Sequence, residues 1–361
     1  MAVPSTGHDG MEKRTEPVQQ SPCYCITGHG RSGTSLIAAM LQSGGLHIGS
    51  RLMGPHEGNV RGHFEDMDFY EFHVAVLGAQ ALGSEGFVLQ PTVPVPGQFV
   101  PAARALVEAR RVVGQPWGWK DPRSTLFLDF WRDLVPEARF LLLFRAPWEV
   151  VDSLFRRGDP VFHQKPSHAI KVWLNYNRAV IDFYDRFPEQ CLLVESHAAA
   201  VAPHRLTEAI AAKFGDHFGT PMNLFDKALF LDDTTLHQRS VMGHFFPEAL
   251  EMYAELRKRA SLVHGVVDAA VLPGHGLAGQ DGALQHWMDF RVMEKKVKHV
   301  QAELERVRSE VSRLQAEIQW MQGSRFWKLR RLWLRVKDLL CRPPATNLIA
   351  TQDKPGLDEE N

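Results

Sequence analysis

Residues 23–41 read CYCITGHGRSGTSLIAAML, an apolar run that breaks at glycine and resumes with helical composition. Few architectures are open to a chain that contains this stretch. A short buried strand, a glycine turn and a helix in immediate succession open a strand–helix–strand unit, and such units build parallel sheets covered by helices. Gly28 and Gly33 stand five apart with a hydroxyl at Ser35, the outer frame of a phosphate-binding loop. Backbone N–H groups and the helix N-terminus favour an anion there whatever the side chains. Where ATP and GTP enzymes carry lysine, after Gly33, this chain has Thr34; its cation is Arg31, two residues before that glycine. A triphosphate hydrolase is disfavoured, and a ligand with a single bridging phosphate near Arg31 is preferred.

The pattern continues in alternation. A strand (23–27) and helix (33–44) lead to a Gly-rich loop (49–62) and helical stretches at 66–82 and 101–113, and a short strand ends near Trp119. Helix 124–134 precedes ARFLLLFR, an apolar run buried on both sides; helix 147–157, a long helix across 168–187, the strand CLLVES and helix 203–214 follow. Short continuous apolar strands between helices imply an α/β fold, a P-loop-like parallel sheet with helices on both faces. After a helix at about 247–261, the Gly-rich link LPGHGLAGQDGALQ marks a boundary. The expected organisation is a disordered N-terminus (1–20), an α/β domain (21–271), a linker (272–286), a coiled coil (287–322), a basic amphipathic helix (323–342) and a disordered tail (343–361).

The coiled-coil expectation rests on Phe290, Met293, Val297, Val300, Leu304, Val307, Val311, Leu314, Ile318 and Met321, which recur in alternating steps of three and four. Such a seam meets a partner helix, giving a homo-oligomer through 290–321, or else folds back on the domain. Glu303 at a g position and Arg308 at the next e favour a parallel pair. Past Gly323 and Ser324, RFWKLRRLWLRVKDLL sets six basic residues (Arg325, Lys328, Arg330, Arg331, Arg335, Lys337) against one acid, Asp338, beside an apolar face. Residues 325–340 suit an anionic membrane surface, an acidic partner, or packing within the oligomer.

At 361 residues, 44% hydrophobic and 23% charged, the chain has ample material for a core, and its net charge of −1 predicts no general attraction to nucleic acid. Four scattered cysteines suggest no disulfide framework, and Cys23 and Cys25 alternate along a strand as small packing residues. With no signal peptide and no apolar run of the roughly 20 residues that span a bilayer, the expected location is cytoplasmic, with peripheral contact at the inner face of a membrane through 325–340.

Arg31-Ser32-Gly33-Thr34-Ser35 after a strand resembles the 5′-phosphosulfate loop of sulfotransferases, which use 3′-phosphoadenosine 5′-phosphosulfate. In FLLLFRAPWEVVDSLFRR (140–157), Arg145 closes a strand and Ser153 follows eight residues later, similar to the family's 3′-phosphate segment; Arg157 fits the spacing of a further nucleotide contact in its tyrosylprotein branch. Arginine supplies a bidentate clamp on phosphate and serine a neutral donor. The alternative for Arg145 is a structural ion pair with Glu149 or Asp152. Together with GNVRGHFED (58–66) and GWKDPR (118–123), these segments occur in the order and separations of the bacterial branch, over roughly residues 22–260. Where many relatives carry Tyr-Glu-Asp-Leu, this chain reads VESHAAA (194–200).

The resemblance implies sulfuryl transfer to a hydroxyl of a glycan or other acceptor, with Arg31, Ser32, Gly33, Thr34, Ser35, Arg145, Ser153 and Arg157 holding the donor. No metal is expected, and the 17 histidines show no metal-ligand constellation. Related enzymes draw a glutamate base from the segment after the first helix; here Glu65, Glu57 and a histidine (His63 or His29) compete for that role. Glu65 doubles as an ordinary helix cap. Lys120 either assists the leaving group or pairs with Asp121 or a neighbouring acid. The competing readings are an inactive nucleotide-site scaffold acting through 287–340, and a P-loop kinase using Arg31, which lacks an obvious strand-end aspartate for Mg²⁺.

Overall fold

The computed structural model describes residues 21–54, 62–111, 114–223, 235–265 and 280–340. Glu57, both terminal segments and residues 272–279 of the Gly-rich link lie outside the described residues. The chain runs β1 (Cys23–Gly28), α1 (Thr34–Ser43), α2 (Met67–Gly78), α3 (Val100–Arg110), β2 (Trp117–Lys120), α4 (Leu128–Leu134), β3 (Arg139–Phe144), α5 (Pro147–Arg157), α6 (Pro160–Gln164), α7 (Ser167–Arg186), β4 (Cys191–Glu195), α8 (Ser196–Val201), α9 (Pro203–Phe214), α10 (Thr235–Phe245), α11 (Pro247–Arg259), α12 (Gln280–Gly323) and α13 (Arg325–Leu340).

All four strands are parallel, in the order β2-β1-β3-β4. Their side chains alternate between two cores. Cys23, Cys25, Phe140, Leu142, Phe144, Cys191 and Leu193 enter one; Tyr24, Ile26, Leu141, Leu143, Leu192 and Val194 enter the other. The strands are apolar through their middles because water touches neither face there, and each large side chain so buried contributes roughly 1.5–3 kcal/mol. Helix α1 packs into the second core through Ile37, Ala38, Met40 and Leu41, while α5 packs into the first through Val150, Val151, Leu154 and Phe155. The adjacent strands β1 and β3 therefore send their helices to opposite faces, and a crevice opens between them at the carboxyl edge, where ligands bind in open α/β sheets.

Four elements differ from the sequence expectation. The stretch from Pro122 to Phe127 is 3-10 helix, capped by the Asp121 carboxylate, which accepts from the Arg123 N–H at 2.8 Å; the α-helix starts only at Leu128. Periodicity did not announce α6 and α8, which are one to two turns long. Helix α12 begins at Gln280, inside the expected linker, and buries Leu284, Trp287 and Met288 in the first core.

The chain divides into two compact units after Met293. In the second, α12 runs on to Gly323 and α13 follows Ser324, with the heptad seam from Val297 to Met321 exposed. Among the described residues, no helix is long and apolar enough to cross a membrane.

Candidate functional site

The loop from Gly28 to Thr34 takes backbone angles that its residues must tolerate. Gly28 lies at φ 145°, and a Cβ there would sit 2.0 Å from the Leu143 carbonyl oxygen; Gly33 has φ 83° and Arg31 φ 71°. Holding a bulky side chain in left-handed geometry costs of order 1 kcal/mol, a cost characteristic of ligand clamps. The turn is closed by the Ser32 N–H donating to the His29 carbonyl at 3.0 Å. Beyond Gly33 the first amides of α1 have no intrahelical acceptor and face the crevice edge.

Arg31 reaches across that crevice. Its Nε donates to Ser153 Oγ on α5 at 2.9 Å, so the loop after β1 and the helix after β3 meet directly. Sheet register makes this possible: Gly28 pairs with Leu143, bringing the two strand ends level. Burial and the fields of Arg157, Arg145 and Arg156 push the Arg31 guanidinium down to about 10, still charged at neutral pH. Arg145 Nε donates to Glu149 at 2.7 Å, Arg156 pairs with Asp152 at 3.0 Å and Arg157 with Asp159 at 2.7 Å. The structural pair weighed for Arg145 is thus present, with Glu149 rather than Asp152, and it leaves Arg145 at the crevice. Arg156 was not anticipated; as the neighbour of Arg157 it carries no motif of its own.

Lys120 closes the other side of the loop. Ile26 pairs with Lys120 across β1 and β2, so the lysine ends level with the loop. Its Nζ donates to Ser35 Oγ at 3.0 Å, to the His63 carbonyl at 2.8 Å and to Glu65 Oε1 at 2.6 Å. A lysine ammonium therefore touches the loop after all, supplied by the neighbouring strand. Asp121 is not its partner: that carboxylate is enclosed by His73 (2.9 Å) and Arg123 (3.0 Å), and although burial raises its pKa, the Arg123 charge and the hydrogen bonds from His73 and the Arg123 N–H outweigh it and hold the group well below the usual carboxylate range. An aspartate does stand at the end of β2, contrary to expectation, but its oxygens are already occupied.

Glu65 is no helix cap. Asp66 fills that position, accepting from the Asp68 N–H at 3.0 Å, while the Glu65 carbonyl accepts from Met53 N–H at 2.8 Å and turns the side chain inward. Burial raises its pKa, Lys120 lowers it in part, and Asp121 raises it further. One carboxylate oxygen is held by Lys120. The other, Oε2, has no hydrogen-bond partner among the described residues and lies 3.8 Å from His63 Nδ1. His29 lies against the Tyr176 ring, and burial pulls it down to about 4, so it is neutral at physiological pH.

Three further buried polar atoms at the crevice lack a hydrogen-bond partner among the described residues: Ser32 Oγ, Ser196 Oγ and Arg157 Nη2. Ser196 opens α8 directly after β4 and abuts the loop, since a Cβ on Gly33 would lie 2.9 Å from its Oγ. It falls in the segment where the sequence departs from the sulfotransferase pattern, and only the strand order brings it to the site. Unpaired donors in a buried, arginine-crowded cleft suit an anionic guest. Among the described residues, no group of three or more His, Cys, Asp or Glu side chains is gathered as a metal would require.

No family model matches the chain, and no curated protein matches it. Solved structures similar to it include a sulfotransferase from Alicyclobacillus acidocaldarius (17% identity, 66% of this chain and 96% of that one, TM-score 0.41). Another is a sulfotransferase from Mycobacterium tuberculosis H37Rv (15% identity, 67% and 76%, TM-score 0.39). A third is the sulfotransferase domain of the Synechococcus PCC 7002 olefin synthase (19% identity, 75% and 96%, TM-score 0.32).

Proposed function

We propose that the chain moves a sulfuryl group from 3′-phosphoadenosine 5′-phosphosulfate onto a hydroxyl of a glycan or other acceptor. The observation that carries this reading is the 2.9 Å bond from Arg31 to Ser153. It joins the two segments that would hold opposite ends of one adenosine bisphosphate, and it does so at the topological switch point. The unpaired Ser32, Ser196 and Arg157 atoms fit such a polyanion.

Bound there, the donor supplies an activated sulfuryl group on its 5′-phosphate. Arg31 and the amides of residues 33–35 grip the 5′ side; Arg145, Ser153 and Arg157 grip the 3′-phosphate. Glu65 takes the acceptor's proton through Oε2 as the acceptor oxygen bonds to sulfur and the bond from sulfur to the 5′-phosphate oxygen breaks. Lys120, seated on Ser35, faces the negative charge that grows on that leaving oxygen. The products are a sulfate ester and 3′,5′-ADP. The proline-rich segment 87–101 would shape the acceptor cleft.

Calorimetry tests the donor site. The protein is expected to bind 3′,5′-ADP, and Arg145→Ala combined with Ser153→Ala to lose on the order of 10²-fold in affinity, as two phosphate contacts of this kind should. Tight MgATP binding with no binding of 3′,5′-ADP would replace this reading with the kinase.

Pairing of α12 with a second copy, in parallel, belongs to the same proposal. Its exposed seam holds Val297, Leu304, Val311 and Ile318 at a positions and Val300, Val307, Leu314 and Met321 at d, and Glu303 would meet Arg308 of the second copy.

A further inference from the structure

We propose that α13 is an interfacial helix that docks this protein on an anionic phospholipid surface. The inference is independent of the chemistry at the crevice.

Helical spacing puts Phe326, Leu329, Leu332, Trp333, Val336, Leu339 and Leu340 on one arc of roughly 140°, which only Arg325, the first residue of the helix, interrupts. That face is open: Phe326 is 76% exposed, Leu339 74% and Leu340 80%. Lys328 and Arg335 run along one margin of the arc, Arg330 and Lys337 along the other. Cations on both edges of an apolar face can keep their stems in the acyl boundary and their charges among headgroups. Lys328, Arg331 and Arg335 also line one shallow groove with Leu332, three cations around a space open to a phosphate. On the apolar side, Lys337 lies 5.4 Å from the centre of the Trp333 ring, an aromatic held at the polar–apolar border where interfacial tryptophans sit.

The alternatives fit less well. At 16 residues with six cations the helix is too short and too charged to span a bilayer. The seam of α12 is a narrow a/d stripe that breaks off at Gly323, whereas the arc of α13 is about twice the width a single partner helix covers. A nucleic acid would use the cations and leave the apolar arc in water. Charge complementarity decides for lipid: a chain of net charge −1 concentrates six cations against one acid in this helix.

The test is co-sedimentation of the full chain with vesicles of phosphatidylcholine containing about 30 mol % phosphatidylglycerol, set beside vesicles of phosphatidylcholine alone. Binding is expected only to the anionic vesicles and to weaken with salt. Lys328→Gln with Arg335→Gln should lower partitioning by about 10- to 30-fold, since each cation near such a surface is worth roughly fivefold. Leu329→Ser with Trp333→Ser should abolish it. Both variants alter only exposed positions, so an unchanged unfolding midpoint and oligomeric mass are part of the expected result. Equal binding to both vesicle types, or full binding by the Leu329/Trp333 variant, would overturn the proposal. So would a changed mass for that variant, which would show the face buried against protein, or DNA binding that the variant leaves intact while vesicle binding is absent.

Discussion

Lys120 and Glu65 lie 55 positions apart and end 2.6 Å from each other, with Ser35 of the phosphate loop on the same ammonium. The sequence offered each residue as a candidate and could not join them, because the loop before α2 and the end of β2 meet only once the sheet has formed. Their pairing has a kinetic consequence. In the proposed reaction Glu65 is the base and must be ionised; burial has raised its pKa, so the acid limb of the activity profile should lie above the ordinary glutamate range and activity should climb as pH rises through it. Removing Lys120 takes away the charge that favours ionisation, so Lys120→Gln should move that limb to still higher pH. Glu65→Gln should lower turnover by roughly 10²–10⁴ with 3′,5′-ADP affinity kept. Steady-state rates across pH, with binding measured in parallel, check both; unchanged turnover in Glu65→Gln would hand the role to Glu57 or a histidine.

Helix α12 is two elements in one, and its sequence marks only the second. The heptads are visible because a seam that repeats every seven residues is a local signal. The first three turns, from Gln280, follow a glycine-rich stretch and contain glycine themselves, so they read as linker. In the fold, Asp152 on α5, fully buried, accepts from Trp287 Nε1 at 2.9 Å, Arg291 Nε at 2.6 Å and Gln238 Nε2 at 3.0 Å. A wholly buried carboxylate needs those donors, and loss of one partner from a buried pair costs about 3–5 kcal/mol. Arg291→Ala should therefore destabilise by roughly 3 kcal/mol, since Arg156 and the two neutral donors remain, and chemical denaturation measures it. Because Ser153 is the next residue of α5, the same variant should weaken 3′,5′-ADP binding. A chain ending after Met293 should keep its fold and scatter light as a monomer, while the full chain scatters as a dimer. One ending before Gln280 should unfold at markedly lower denaturant.

At the scale of the whole molecule, Arg145, Arg156 and Arg157 bring their charges close enough to Arg31 to lower its pKa, and in the proposed site a guest with phosphates at both ends would offset that repulsion. The fold should therefore be stabilised by 3′,5′-ADP, by about 2.7 kcal/mol at a hundred times the dissociation constant, and less at equal concentration by AMP, which leaves Arg145 and Arg157 without a phosphate. Thermal unfolding with each nucleotide checks this, and equal shifts would remove those two residues from the site. The sequence by itself determined the alternation of strands and helices, the glycine turn between β1 and α1, the places of Arg145 after β3 and Ser153 within α5, and the heptad spacing of α12. All of these are set by the spacing of side chains a few positions apart, and spacing is local. Only the tertiary structure decided that Arg31 meets Ser153, that Lys120 seats on Ser35 and that Ser196 abuts Gly33. Those contacts depend on strand order, on register and on the opposite faces taken by α1 and α5, which are settled by burying two cores at once.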